Sequence, residues 1–272
     1  VSIADDANAI FFNPSGLARL SRPELTSMYA KLFPNIGDNL AQGLFGYVRP
    51  VGALGTVGLG WQSLMSDLWD GNIVTLSYAR DLLERVALGA NFKVMRWDVA
   101  PIPNDPVTGE RDPMNDHRSQ MCFGVDAGLL WSPAWNITVG AFVKNLNQPN
   151  IAYDSSLGGD LPMEIHIGLG YRFPMMVVST EFVNTDGKKR LLVGAERSLA
   201  ATGLSLRLGG NWNSLLGLCR EKKTEEKQSE LGQGSFGLGY KLAGFRVDYS
   251  YIYYAQLADT GGAHRFSIGY KF

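Results

Sequence analysis

The chain has 272 residues, a formal net charge of -1, 45% hydrophobic and 19% charged residues, and 32 glycines. The near-neutral charge argues against nucleic acid as a partner, because a phosphate backbone requires a basic face. No apolar run of about 18 residues is free of charge, Gly and Pro, so no transmembrane helix is expected. The strands of a membrane barrel are too short to be found by that search.

The first 20 residues lack the alternating pattern of the rest of the chain. The run from Ala4 to Phe12 predicts a short helix with Asp5 and Asp6 in its first turn, where carboxylates suit the helix dipole. Asn13, Pro14, Ser15 and Gly16 end that helix, and a second short turn follows from Leu17 to Leu20. We therefore predict a separate element at residues 1–20, before a sheet that begins near residue 21. No signal peptide is visible ahead of Val1, so the end of the sequence neither shows nor excludes export.

From there to the end, apolar and polar residues alternate with a period of two, which predicts strands. In residues 203–213, Leu204, Leu206 and Leu208 share one face, and Ser205 and Arg207 share the other. Segments of about ten residues with this pattern, separated by turns, are typical of a transmembrane β-barrel. Fourteen strands are predicted, at 24–32, 39–49, 51–63, 72–80, 84–98, 118–132, 135–145, 161–173, 175–184, 188–197, 203–213, 231–242, 244–255 and 262–272.

The connections between these strands alternate in length. They are tight after each even-numbered strand and mostly longer after each odd-numbered strand, as when every second connection lies on the periplasmic side of a bacterial outer membrane. This parity predicts that both termini are periplasmic. A soluble β-sandwich is the alternative, since it would also alternate. Three features favour the barrel: inner faces rich in Gly, a chain that closes on an aromatic, and aromatic residues near strand ends, namely Trp61, Trp131, Tyr171, Phe173, Trp212, Tyr240, Tyr270 and Phe272.

The face that would line the lumen carries ionisable residues of both signs. A solvated, salt-bridged interior that holds the N-terminal segment is the first interpretation, and a selective pathway for an anion or amphiphile is the second. No Ser/His/Asp set or metal-ligand set is present, so no catalytic, cofactor or metal site is predicted. The predicted lumen-facing residues are Lys93, Asp126, Lys144, His166, Arg172, Glu181, Glu196, Arg207, Lys241, Arg246, Asp248 and Arg265.

The remaining motifs give weaker signals. Cys122 and Cys219 have no metal-type spacing, and free thiols are favoured over a disulfide. Four acidic residues crowd the loop after the fifth strand; a solvated outer loop is favoured over a calcium site because the spacing of a calcium-hand loop is missing. These acidic residues are Asp105, Glu110, Asp112 and Asp116. The mixed charge run from Arg220 to Glu230 is interpreted as an external loop.

The last strand has one wholly apolar or aromatic face, formed by Phe266, Ile268, Tyr270 and Phe272. We expect this strand to pair with the first strand and remove the open edge, and its final aromatic to act as a signal for barrel insertion. Its inward Arg265 and Lys271 are expected to face Asp5 and Asp6.

The run Ala4-Asp-Asp-Ala-Asn-Ala-Ile-Phe-Phe-Asn-Pro-Ser-Gly-Leu-Ala18 resembles the N-terminal motif of the FadL superfamily of outer-membrane proteins, and in particular that of its PorV/PorQ branch. Ser15 stands where members of this branch usually have Ala. The end of the chain, from Ala263 to Phe272, is similar to the end of such proteins. The resemblance implies a 14-stranded barrel, residues 21–272, whose N-terminal segment, residues 1–20, folds into the lumen as a plug or hatch.

The resemblance also implies a function. Members of the type IX secretion branch bind exported proteins at the outer membrane, whereas FadL takes up long-chain fatty acids. We therefore expect a non-enzymatic outer-membrane scaffold or secretion subunit with a protein partner at the surface or periplasmic side and lipid around it. The alternative is a FadL-like channel for hydrophobic compounds, in which the segment at Asn13 and Pro14 moves to let a small molecule pass. A general pore is the third hypothesis.

Overall fold

A computed structural model describes residues 1–99, 118–152, 158–199, 202–211 and 232–272. Fourteen antiparallel strands form a closed barrel in which each strand pairs with its sequence neighbours and the last pairs with the first. The predicted fold class is confirmed. The strands are β1 Glu24–Leu32, β2 Ala41–Pro50, β3 Thr56–Met65, β4 Trp69–Leu83, β5 Val86–Val99, β6 Arg118–Ala134, β7 Ile137–Lys144, β8 Glu164–Arg172, β9 Met176–Thr185, β10 Lys188–Leu199, β11 Leu204–Asn211, β12 Gln233–Leu242, β13 Phe245–Tyr254 and β14 Ala263–Lys271.

The barrel closes through β1 and β14, whose register runs from Glu24 opposite Lys271 to Leu32 opposite Ala263. Closure leaves neither strand as an open edge, which is how a barrel avoids edge-to-edge aggregation. The expectation that the apolar last strand pairs with the first is therefore confirmed.

The large apolar side chains point away from the barrel axis. On β3, Val57, Leu59 and Trp61 are exposed, and Leu59 keeps 54% of its surface. The residues between them, Gly58 and Gly60, are buried and face the interior. A soluble β-sandwich would bury the apolar face and expose the polar one. The opposite arrangement is typical of a barrel whose outer wall meets lipid, so the sandwich alternative is wrong.

The connections follow the predicted parity. One rim carries the short connections 51–55, 84–85, 135–136, 173–175 and 243–244 together with the ends of β1 and β14; we call this rim the turn side. The opposite rim, the loop side, carries the longer connections. Two loop-side connections are nevertheless short, 66–68 and 186–187. The second is a two-residue hairpin in which Asp186 and Gly187 both have positive φ, 47° and 78°, as a type I′ turn requires.

The N-terminal segment, residues 1–20, contains one short helix, α1 Ala9–Phe12, and a 3₁₀ turn at Pro14–Arg19. The predicted helix from residue 4 is therefore too long, because Asp5 and Asp6 lie in irregular backbone ahead of α1. Asn13 caps the turn by accepting a hydrogen bond from the Ser15 amide, and Pro14 occupies its first position, where a missing N–H costs nothing. Among the described residues, no helix is long and apolar enough to cross a membrane.

Several strand boundaries differ from the prediction by a few residues, most clearly those of β3 and β4. β3 begins at Thr56 rather than 51, because residues 52–54 form a 3₁₀ turn. β4 extends from Trp69 to Leu83, several residues beyond each predicted end. Several predicted features lie outside the described residues, namely the acidic loop with Asp105, Glu110, Asp112 and Asp116, the charge run from Arg220 to Glu230, Cys219 and Trp212.

Candidate functional site

The N-terminal segment packs against the inner face of the barrel wall. Ile10 and Leu17 are fully buried and form an apolar cluster with Val48 of β2 and Ala79 of β4. Inward glycines make room for this contact. A Cβ at Gly89 of β5 would lie 2.3 Å from the Ser15 amide nitrogen, and a Cβ at Gly128 of β6 would lie 2.1 Å from the Asn13 side-chain oxygen. Similar close approaches to the segment occur at Gly46, Gly58, Gly60, Gly140, Gly168 and Gly170.

The Asn-Pro-Ser-Gly motif, residues 13–16, forms the most enclosed part of this contact. Asn13 is fully buried. Its amide nitrogen donates to the Leu129 carbonyl at 3.3 Å, and its oxygen accepts from the Ser15 hydroxyl at 2.6 Å. Gly16 packs so closely on residue 4 that a Cβ there would lie 2.0 Å from the Ala4 carbonyl oxygen. The motif therefore both turns the chain and fixes it to β6.

Ion pairs attach the segment at the turn side. Asp5 pairs with Arg172 of β8 at 2.7 Å, and Asp6 pairs with Arg246 of β13. Lys271 instead pairs with Glu24 of β1 at 2.6 Å. The expectation that Asp5 and Asp6 pair with Arg265 and Lys271 is therefore wrong. The relative positions of the strands bring two other basic residues, Arg172 and Arg246, to these carboxylates.

Glu24 also holds the segment, since its second carboxylate oxygen accepts a hydrogen bond from the Ala7 amide at 3.2 Å. Arg19, at the end of the segment, donates to the Ser132 hydroxyl at 2.6 Å. Burial lowers the pKa of the Arg19 guanidinium. The group nevertheless stays charged at neutral pH, because the ordinary pKa of arginine lies far above 7.

A buried polar cluster lies on β5 and β6 and just after β7. Lys93 and Asp126 form an ion pair of 2.6 Å in which both side chains are buried. Asn145, just after β7, accepts from Lys93 at 2.7 Å and donates its backbone amide to Asp126 at 2.9 Å. Asn91 donates to Asp126 at 3.1 Å and to the Ile10 carbonyl at 2.9 Å. The cluster thus joins the wall to the segment.

A second group lies on β7, β8 and β9. His166 stands between two carboxylates, 2.7 Å from Glu181 and 3.3 Å from Glu164. Lys144 lies 3.6 Å from Glu164. These four residues contact one another, so both carboxylates of the group have partners.

A third group lies on β10, β11 and β13. The guanidinium of Arg207 bridges Glu196 at 2.9 Å and Asp248 at 2.5 Å. Arg246 lies 2.9 Å from the other oxygen of Asp248 and, as described above, holds Asp6. The line from Glu196 to Asp6 therefore runs along the inner wall into the N-terminal segment. We call these five residues the arginine ladder.

Three of the residues predicted to face the lumen are not in these groups, and one of them, Arg172, pairs with Asp5 instead. Lys241 is exposed near the end of β12, and Arg265 is half-buried on β14. Sequence reasoning missed Asn91, Asn145 and Glu24. The available signal for Asn91 was its position two residues before Lys93, on the same inward face of β5. Asn145 lies after β7 with a positive φ of 55° and has no such pattern.

On β14, the predicted apolar face points outward. Phe266, Ile268 and Phe272 are exposed, and the Tyr270 ring packs on Phe245 with a centroid distance of 4.4 Å.

Cys122 is a buried free thiol. Among the residues that the structure describes, no group of three or more His, Cys, Asp or Glu could hold a metal ion.

Comparison with known proteins identifies relatives at two levels. The family model described as type IX secretion system membrane protein PorP/SprF matches residues 73–270. No curated protein matches the sequence. The fold is similar to that of a FadL homologue from Pseudomonas aeruginosa, with a TM-score of 0.61, 14% identity, and coverage of 98% of this chain and 94% of that one.

Two further solved structures share the fold. The toluene transporter TodX of Pseudomonas putida has a TM-score of 0.62 and 10% identity, with 97% of this chain and 93% of that chain covered. The outer-membrane protein Omp33 of Acinetobacter baumannii has a TM-score of 0.52 and 6% identity, with 92% and 98% covered. At these identities the likeness concerns the fold alone. Together with the family match, it confirms the predicted resemblance to FadL-type barrels and to type IX secretion proteins.

Proposed function

The chain belongs to the PorP/SprF family of type IX secretion system membrane proteins, and from this premise we propose that it is a non-enzymatic outer-membrane scaffold that binds a protein partner of the secretion system. The observation that carries the proposal is the family match over residues 73–270, which spans the wall from β4 to β14. The outer-membrane barrel itself follows from the family and the fold.

The interior supports a scaffold better than an enzyme. Many of the described charged groups of the lumen pair with one another, as Lys93 does with Asp126 and as the members of the arginine ladder do. A catalytic acid or base would need a free proton-transferring group facing a substrate. We therefore propose that these groups stabilise the barrel and its N-terminal segment.

We further propose that residues 1–20 act as a plug within a barrel of residues 21–272. The buried Ile10 and Leu17 and the ion pair of Asp5 with Arg172 support a segment that stays in place. The alternating lengths of the connections support an orientation in which the turn side, and with it the end of β14, faces the periplasm. A partner on the periplasmic side would then meet the rim that carries Asp5, Arg172 and Lys271.

The test is recovery of the intact protein from native outer membranes after extraction in a mild detergent. A protein partner in fixed stoichiometry that resists a salt wash supports the proposal. Recovery of the barrel alone, under conditions in which other complexes of the secretion system stay together, contradicts it.

A FadL-like channel for hydrophobic compounds is the second candidate. It is favoured by the fold and by the packing of the N-terminal segment on the inner face of the wall. In that case the extracted barrel carries bound fatty acid or another apolar compound, and the contacts of Asn13 with Ser15 and Leu129 must open for the compound to pass. Lipid extraction and mass spectrometry of the same preparation separates the two candidates.

A further inference from the structure

The N-terminal segment fills only part of the lumen. On β4 and β5, inward side chains such as Thr75, Ser77 and Asn91 are buried. On β9 to β12, inward residues such as Ser179 and Ser235 remain partly open to solvent. The glycines differ in the same way. A Cβ at Gly128 would meet the segment at 2.1 Å, whereas a Cβ at Gly194 would meet nothing closer than 3.6 Å.

Two cavities lie inside this side of the barrel, one on β9 to β12 and one on β12 to β14 and β1. The first, about 250 Å³, is lined by Ser179, Glu181, Gly194, Gly209 and Ser235, among others, towards the loop side. The second, about 330 Å³, lies at the turn side between the segment and the ends of β12 to β14. Its charged lining residues are Asp5, Asp6, Glu24, Lys241, Arg246 and Lys271.

The arginine ladder begins in the second cavity, which Asp6 and Arg246 line, and runs along the wall towards the first. In the strand registers, Glu196 is opposite Arg207, and Arg207 is opposite Gly237. The guanidinium lies flat against this wall, because a Cβ at Gly239 would be 3.0 Å and 3.1 Å from its two terminal nitrogens. The Arg207 and Glu196 side chains keep 31% and 33% of their surface. Both side chains are therefore partly open to the space inside the barrel.

We propose that a water-filled path for small inorganic ions runs along the inner wall of β9 to β12, past the N-terminal segment in its seated position. One side of the path is formed by small residues of the wall, such as Ser179 and Gly194, and the other by the N-terminal segment. The arginine ladder lines its middle. This activity is independent of the scaffold role: a barrel that binds a partner need not conduct, and a conducting path needs no partner.

The charges of the ladder predict how substitutions change the preference of the path for cations or anions. The ladder has two guanidinium groups, Arg207 and Arg246, against three carboxylates, Glu196, Asp248 and Asp6, so it carries an excess of negative charge. Removing the Arg207 charge increases this excess of carboxylate, which attracts cations, and removing the Glu196 charge cancels it. Arg207→Gln should therefore shift the reversal potential in a KCl gradient towards cation preference, and Glu196→Gln should shift it towards anion preference.

The position of the path is tested by cysteine labelling of the intact chain in a planar lipid bilayer, with Cys122→Ala and Cys219→Ser as the background. Ser235→Cys lies on the open wall and Thr75→Cys on the wall that the segment covers. A bulky cationic thiol reagent should lower the single-channel current of the first variant by more than half and leave the second unchanged. Folding of each variant is checked by the heat-dependent shift of the barrel in gel electrophoresis.

Each other outcome overturns the proposal. Absence of current from the intact chain, or an unblocked Ser235→Cys variant, removes the path. Block of both variants places the current where the segment had been, and shows that conduction requires the segment to leave. Leu208→Trp on the outer face and Ser235→Trp on the inner face give a second comparison without reagent: only the inner substitution should reduce the current.

Discussion

The side-chain amide of Asn91 donates a hydrogen bond of 2.9 Å to the backbone carbonyl of Ile10, so a strand of the barrel wall holds the N-terminal segment directly. The same amide reaches Asp126, which is paired with Lys93. The segment is thus connected to the buried charges of the wall, and changes in either should affect the other.

The inward glycines are expected to be required for the segment to seat. Gly128→Val would place side-chain atoms where Asn13 lies, since even a Cβ approaches its oxygen at 2.1 Å. Overpacking of this kind costs about 1–3 kcal/mol. We expect faster proteolysis of residues 1–20 and a lower melting temperature. Gly194→Val is the matched control, because a Cβ at this inward glycine would meet nothing closer than 3.6 Å; equal effects of the two substitutions would contradict the close packing.

The buried pair of Lys93 and Asp126 should be sensitive to loss of one partner. Lys93→Met keeps the side-chain length but leaves the Asp126 carboxylate uncompensated, which costs about 3–5 kcal/mol. Denaturant unfolding of the barrel in detergent or lipid measures the loss. The double variant Lys93→Met with Asp126→Leu should recover much of it, because no isolated charge remains; a double variant as unstable as the single one would argue against the pair.

The two aspartates of the segment should differ in importance. The side chains of Asp5 and Arg172 keep 50% and 40% of their surface, and exposed ion pairs contribute only about 0–1 kcal/mol. Asp6 and Arg246 are more enclosed, at 25% and 21%. Asp6→Asn should therefore loosen the segment more than Asp5→Asn does, as measured by hydrogen exchange of residues 4–8. The reverse order would show that burial does not decide the strength of these contacts.

A pH-dependent contact is expected between the loops on either side of β2 and β3. Asp38 accepts hydrogen bonds from the Asp67 amide at 2.8 Å and the Ser66 hydroxyl at 2.7 Å, and these bonds hold the pKa of its carboxyl below the ordinary value. A depressed pKa means that the contact is fully formed above the ordinary Asp value of about 3.9 and is lost as the pH falls through the lower folded value.

Hydrogen exchange at the Asp67 amide, corrected for intrinsic rates, measures this loss. Protection should fall in acid in the wild type. In Asp38→Asn it should be weaker at neutral pH and independent of pH over the same range. Protection in the wild type that does not change on acidification would show that the carboxylate does not hold the loop.

Much of the barrel could be predicted from the sequence, because the two-residue period decides which side of each strand faces lipid. The outward faces of β11 and β14 follow directly from this period. They carry Leu204, Leu206 and Leu208 on β11 and Phe266, Ile268 and Tyr270 on β14. The short turn at 186–187 fits the same logic, since Gly187 supplies a positive φ.

The contacts inside the lumen could not be predicted in the same way. Which inward residues meet depends on the stagger of neighbouring strands and on the path of the segment across the lumen. Asp6 thus meets Arg246 rather than Lys271, although all three residues were expected to face inward or into the lumen. Likewise, the dipole argument for Asp5 and Asp6 failed because ion pairs with the wall hold them ahead of α1.

The most direct test of the scaffold role is deletion of the gene, with complementation by the wild type, followed by quantification of surface-exposed and periplasmic cargo of the type IX secretion system. We expect the cargo that depends on this barrel to leave the cell surface and accumulate in the periplasm, and to return on complementation, while uptake of hydrophobic compounds is unchanged. Normal surface delivery of every cargo, together with reduced uptake of fatty acids or other apolar compounds, would contradict the scaffold role and establish the channel instead.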